Sequence, residues 1–250
     1  EAKFFKNRVG VDVSLYTKDS EDLIIDLDLD NSTGYSSSTV NSASINNKGV
    51  EAILNVIPVQ SRDFTWDVSA SFSLLRSEVI SIADGIDQIY VGGYVGRGNI
   101  AIPGLPYGIL EGEVIRRDYG SLDGTDHTQV HWDDRTNYTP IVNANGGYQF
   151  LGYGVIGNPQ PDFVYGVTNT LSYKWATLRV QFDSQVGGDV FSTTNSTLLG
   201  RGILQETDFD RFVPVVTNGL SADGTPNTTQ TTANAHYWPN TGVFYDENSI

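Results

Sequence analysis

Apolar and polar residues alternate without a break from Phe64 to Leu74. Phe64, Trp66, Val68, Ala70, Phe72 and Leu74 fall on one side; Thr65, Asp67, Ser69, Ser71 and Ser73 fall on the other. Only an extended strand puts alternate residues on opposite faces. The pattern predicts a strand running to about Ile82. A second strand, Gly49 to Ile57, precedes it across the turn Pro58 to Asp63. Residues 46–78 therefore read as one long hairpin with an apolar and a polar side.

The same period recurs elsewhere. Val9, Val11, Val13 and Leu15 alternate with Gly10, Asp12, Ser14 and Tyr16, and the strand runs on irregularly through Leu23-Ile24-Ile25. Phe163, Tyr165, Val167, Leu171 and Tyr173 mark a further strand whose apolar side is interrupted at Asn169. Ala176, Leu178, Val180 and Phe182 alternate with Thr177, Arg179, Gln181 and Asp183, with an extension predicted through Val186 to Phe191. About five complete strands follow from the pattern, after a strand end at Phe4-Phe5.

The connections alternate in length. Tight turns are expected near residues 6–7, 58–63 and 174–175. Long, polar, Gly- and Pro-containing loops are expected near 30–45, 83–161 and 192–250, the middle one without sustained period. In an up-and-down meander this places every short turn at one end and every long loop at the other, as in an outer-membrane barrel. Phe64, Trp66, Tyr173 and Trp175 lie beside the short turns, where an aromatic girdle belongs. The predicted fold is all-β: a segment of an antiparallel, up-and-down transmembrane β-barrel. Five strands cannot close such a barrel, so a fragment of a larger one is expected. The competing architecture is a secreted soluble β-sandwich that binds or hydrolyses glycans.

Composition fits either architecture. The chain has 250 residues, no cysteine, 26 glycines and a net charge of -15. Disulfides are excluded, and the acidity argues against a nucleic-acid partner. No apolar run approaches the length of a membrane helix, which says nothing against a barrel. No targeting segment is recognisable.

Few residues suggest chemistry. Asp26, Asp28 and Asp30 have calcium-loop spacing, but Asn31 stands where the loop needs glycine and Ser37 where it needs glutamate. Glu111 and Glu113, with Asp133 and Asp134, could pair as glycosidase carboxylates. His127 and His131 could ligate a metal from one helix face, but no helical pattern surrounds them. The expectation is solvated loop: no enzyme activity, no metal and no cofactor. The glycine-rich stretch from Gly92 to Gly98 does not open a helix and is not a phosphate loop.

Several short motifs occur in a characteristic order. They are Phe4-Phe5-Lys6-Asn7-Arg8, Asp22-Leu23-Ile24, Ser32-Thr33-Gly34-Tyr35 and Asn47-Lys48-Gly49-Val50-Glu51. Gly104-Leu105-Pro106-Tyr107-Gly108, Gly157-Asn158-Pro159-Gln160-Pro161, Gly187-Gly188-Asp189-Val190-Phe191 and Asp223-Gly224-Thr225-Pro226-Asn227 follow. Together they resemble the C-terminal barrel region of the SusC/RagA family of TonB-dependent outer-membrane transporters. The resemblance implies a 22-stranded barrel whose N-terminal plug is not in this chain. It also implies a SusD-like surface lipoprotein as a lid, energy from the TonB complex through the missing N-terminal part, and a glycan or peptide oligomer as cargo. Outer-membrane lipid would meet the apolar strand faces. Aromatics of the long segment, Tyr90, Tyr94, Tyr107, Tyr119, Trp132 and Tyr138, with Tyr148 and Tyr153, then become candidate contacts to substrate or lid, since flat rings stack on sugars or pack against peptide side chains.

Overall fold

A computed structural model describes residues 1–94, 97–118, 138–192 and, with short breaks, 194–232. The described chain is all-β and antiparallel. Ten strands form: β1 (Ala2–Phe4), β2 (Val9–Asp28), β3 (Ser37–Gln60), β4 (Phe64–Ser81), β5 (Ile89–Tyr94), β6 (Arg97–Ala101), β7 (Ile109–Ile115), β8 (Phe150–Gly157), β9 (Phe163–Tyr173) and β10 (Ala176–Val186). They make a six-stranded sheet in the order β1-β2-β3-β4-β9-β10 and a four-stranded sheet in the order β5-β6-β7-β8. The contacts divide the chain into two compact units. One comprises Glu1–Ile89, Ala101–Tyr107 and Gln160–Gly188; the other holds the remainder.

The six-stranded sheet is a meander in which every neighbour is antiparallel. Its register explains the alternation of the sequence. Directly paired residues share a face. Val11 pairs with Leu54, Leu54 with Ala70, Ala70 with Val167 and Val167 with Phe182. Two rows lower, Trp66 pairs with Leu171 and Leu171 with Leu178. The apolar residues of five long strands thus merge into one continuous face. The opposite face carries Asp12, Ser14, Glu51, Asn55, Asp67, Ser69, Ser71, Thr168, Thr170, Arg179, Gln181 and Asp183 in the alternate positions.

The short connections lie at one edge. Residues 5–8, 61–63 and 174–175 join β1 to β2, β3 to β4 and β9 to β10. Backbone bonds tie these turns to their neighbours: Ile57 N–H donates to the Arg8 carbonyl at 2.8 Å, and Lys174 N–H to the Asp63 carbonyl at 2.9 Å. Phe5, Lys6, Asn7 and Lys174 adopt positive φ, which such tight reversals require.

Three sequence expectations change. The polar stretch near 30–45 is mostly strand: β3 begins at Ser37, so the β2–β3 connection is residues 29–36 with a short 3₁₀ turn at Asn31–Thr33. Ser, Thr and Asn dominate here, and the pairing slips on both sides of Leu23, which hides the period. The segment 83–161 is likewise not structureless; it contains β5 to β8. These strands are short, broken by glycine and shifted in register at Leu110/Glu111 and Val114/Ile115, so no period of two survives. The extension of β10 ends at Val186, because Gly187 and Gly188 turn to φ 72 and 87.

β2 and β3 hold 20 and 24 residues, roughly twice the 9–11 needed to cross a bilayer. A β-bulge between Ser20 and Leu23, with Asp22 at φ 52, marks a change in β2. Before it, Val11, Val13 and Leu15 lie on the apolar face. After it, Leu23 pairs with Ala43, on the side of Ile45 and Val79, which is the polar face lower down. There Ala43, Val79, Ile82 and Ala101 form a buried core, with Leu23, Ile25, Ile86 and Ile89 packed against it. In the second unit, Leu110, Val114 and Ile156 make a separate core with Phe191.

Candidate functional site

Two features of the first unit could act on other molecules: the two-faced sheet itself, and a set of loops pinned to the far end of β4.

On the polar face the side chains are hydroxyls, amides and carboxylates. Ser172 and Thr177 hydroxyls share a hydrogen bond at 3.2 Å, and Gln181 Nε2 donates to Asp183 at 2.8 Å. Gly166 sits among them: a Cβ there would lie 2.7 Å from Asp183 Oδ1 and 3.1 Å from Ser71 Oγ. An open depression of about 520 Å³ lies here, lined by Glu51, Ser71, Asp183 and Gln185 together with Ile53, Phe72, Val164 and Tyr165. Such a surface hydrogen-bonds hydroxyl or amide groups in several orientations. Higher on the same face, the Tyr16 ring lies over Gly49, where any Cβ would collide with it. That close approach explains the glycine of Asn47-Lys48-Gly49-Val50-Glu51.

On the apolar face many large side chains remain open. Leu15 is 76 % exposed, Leu178 60 % and Phe182 65 %. A face this large and apolar calls for an apolar surrounding. Asn169, which breaks its pattern, does not stand alone there, because the Trp66 indole Nε1 donates to its Oδ1 at 3.2 Å.

Two of the sequence motifs converge on β4. Gly104 N–H donates to the Val79 carbonyl (2.8 Å) and Val79 N–H to the Leu105 carbonyl (3.0 Å). Gln160 Nε2 donates to Ser77 Oγ at 2.5 Å and to the Tyr107 carbonyl at 3.0 Å, while Tyr107 N–H donates to Ser77 Oγ at 3.3 Å. Gln160 therefore joins the Gly-Asn-Pro-Gln-Pro stretch to Gly-Leu-Pro-Tyr-Gly through Ser77. Sequence reasoning passed over Gln160 and Ser77; an amide between two prolines was the available signal.

The candidate aromatics divide. Tyr107 belongs to the first unit and is 40 % exposed; Tyr90 and Tyr138 belong to the second and are 45 % and 37 % exposed. Tyr94 ends β5, and its side chain lies outside the described residues, as do Tyr119 and Trp132. Among the other candidates, His127, His131, Asp133 and Asp134 also lie outside. Asp26 accepts from Thr39 Oγ1 at 2.5 Å, and Asp30 accepts from Ser32 N–H at 2.7 Å. The bonds from Ser32 hold the exposed Asp30 carboxyl below its ordinary pKa. Glu111 and Glu113 share one face of β7 two residues apart, with Glu113 buried.

No family profile matches the chain. Curated proteins do. TonB-dependent receptor P3 of Formosa agariphila is 28 % identical over 213 residues, covering 81 % of this chain and 21 % of that protein. TonB-dependent receptor SusC of Bacteroides thetaiotaomicron is 28 % identical over 181 residues, 68 % of this chain and 17 % of SusC. The chain is thus similar to TonB-dependent receptors, SusC among them. It spans about a fifth of the length of the receptors it matches. Among solved structures, a chain of the RagAB peptide transporter superposes with TM-score 0.58 at 20 % identity, over 78 % of this chain and 21 % of that one. The RagAB peptide importer in its open-open state gives 0.53 at 22 %, over 74 % and 19 %. These likenesses show the fold: most of the chain is built like part of a RagAB transporter chain. Within the chain, Gly49 makes room for the Tyr16 ring, and Gln160 and the Gly104–Tyr107 loop make hydrogen bonds to β4.

Proposed function

We propose that the chain forms part of the barrel wall and outer loops of an outer-membrane, TonB-dependent importer of nutrient oligomers. The two-faced sheet carries this reading. Ten residue steps from Phe64 to Leu74, at about 3.3 Å each and tilted about 40–45°, make an apolar band roughly 25 Å tall, the height of a barrel's lipid-facing band. The apolar face meets lipid, and the polar face lines the interior. Short turns face the periplasm; the connections 29–36, 82–162 and those after residue 186 face outward. The wall closes with further strands, a 22-stranded barrel in this family, around a plug contributed from outside this chain.

Import is driven by the TonB complex and works with a SusD-like lipoprotein lid. The cargo is a glycan or peptide oligomer, and the hydroxyl-, amide- and carboxylate-rich face suits either. The chain contributes no bond-breaking chemistry. Tyr90, Tyr94, Tyr107, Tyr119, Trp132 and Tyr138 contact cargo or lid; exposure of Tyr90, Tyr107 and Tyr138 supports this.

Because the chain has no cysteine, single cysteines report its faces cleanly. In the whole receptor, on a background free of other cysteines, Ser71→Cys and Asp67→Cys should react with a water-soluble maleimide. Leu178→Cys and Phe182→Cys should resist until detergent is added. Equal labelling of both sets in intact membranes would overturn the assignment.

A further inference from the structure

Just beyond the apolar band, on its lipid side, the register places two cations directly opposite one another. Leu15, Val50 and Leu74 form the last apolar row; the next row on the same face is Thr17, Lys48 and Arg76. Like charges facing each other across a strand pair repel, and the chain as a whole carries -15. The pair is therefore a local reversal of sign. Arg76 is partly committed. Its Nη1 donates to the carbonyls of Leu75, Pro161 and Asp162, each at 3.1 Å, and Nη2 lies 3.4 Å from Asp162 Oδ1. Its side chain is still half exposed. Lys48 is exposed. Asp19, Asn46 and Glu78 occupy the following row, and Asn46 Nδ2 is bonded to Asp19 at 2.5 Å.

These two rows line one groove of about 540 Å³, with Leu15, Val50 and Leu74 below and Thr17, Lys48 and Arg76 above. Apolar walls beneath a cation pair match an amphiphile with acyl chains and an anionic head, oriented as in the leaflet at the long-loop end. We propose that this groove is a binding site for a phosphorylated lipid of the outer leaflet, whose phosphate bridges Lys48 and Arg76. The proposal rests on the outer-membrane reading of the sheet. A shared phosphate adds a second counter-charge between Lys48 and the half-exposed Arg76, whose Nη2 already faces Asp162. Thr17 supplies a hydroxyl donor to the same head.

The test uses the whole receptor, purified in detergent and delipidated. Phosphatidic acid serves as a phosphomonoester lipid, phosphatidylcholine as the zwitterionic reference and inorganic phosphate as the soluble anion. Native mass spectrometry reads the lipid retained. The wild type should retain phosphatidic acid over phosphatidylcholine. Lys48→Gln with Arg76→Gln should weaken that retention on the order of tenfold, from the contribution expected of two cations near a charged leaflet. Arg179→Gln, a cation on the opposite face, should leave it unchanged. Equal retention by the double variant overturns the site. Displacement of the lipid by equimolar inorganic phosphate overturns the lipid as its occupant. Heat-modifiable gel mobility of each variant reports the folded barrel separately, so loss of the site and failure of the barrel reading give different results.

Discussion

The indole of Trp66 donates its Nε1 proton to the Oδ1 of Asn169 at 3.2 Å. Both residues lie on the apolar face, on adjacent strands, one row apart. A polar amide in that face is costly unless its hydrogen-bonding groups are used, and the indole needs an acceptor for the same reason. Replacing one partner should therefore hurt more than replacing both. Trp66→Phe alone should lower the unfolding free energy of the refolded receptor by about 1–3 kcal/mol. Trp66→Phe with Asn169→Val should cost less than the sum of the two single losses in a urea-unfolding double-mutant cycle.

A second test concerns the glycine at the centre of the Asn47–Glu51 motif. Gly49 leaves room for the Tyr16 ring. Gly49→Ala should expel that ring and cost about 1–3 kcal/mol, as overpacking does. Tyr16→Ala added to Gly49→Ala should cost little more, because the contact is already lost. Additive losses in the same unfolding assay would show that Tyr16 is stabilised elsewhere.

Gln160→Ala removes three side-chain bonds: Nε2 to Ser77 Oγ, Nε2 to the Tyr107 carbonyl, and Oε1 from the Ser77 N–H. About 1 kcal/mol of local stability should go with each half-exposed bond. The expected readout is selective: limited proteolysis near residues 104–108 speeds up severalfold, while the turn at 61–63 keeps its wild-type rate.

The exposed Asp223 carboxylate accepts from Thr225 Oγ1 at 2.7 Å and from Thr225 N–H at 3.0 Å. The side-chain bond first, and the backbone bond second, hold its pKa below the usual carboxylate value. A lowered folded pKa means the turn's extra stability is present at neutral pH and fades as pH falls through that lowered value. Asp223→Asn should speed amide exchange at Thr225 near neutral pH, and the difference from wild type should vanish in acid.

The readable part of the chain was the part with water on one side and an apolar medium on the other. Val9 to Leu15, Phe64 to Leu74 and Ala176 to Phe182 kept a strict period because each alternate residue meets a different solvent. Ser37 to Ser44 also pairs with β2, but the register shifts beside Leu23 and the few apolar residues, Val40 and Ala43, leave no alternation to read. β5 to β8 bury residues such as Ile100, Ile109 and Ile115 in short strands with shifted registers, so apolar residues cluster there without alternating. Of the candidate contacts, aromatic character was visible from residue type alone. The bridging role of Gln160 was not, because it depends on three segments 30 to 83 residues apart in the chain.

The bulge at Ser20 to Leu23 gives the β2–β3 hairpin a fixed waterline. Below it the oily residues point one way; above it they point the other and are consumed in a private core. A strand pair built like this has no freedom to ride up or down. Sinking would drown the upper core's side in a place where nothing covers it, and rising would lift Leu15 and Val50 out of their medium. In the proposed wall, the depth of this hairpin is thus set by the two register shifts on either side of Leu23.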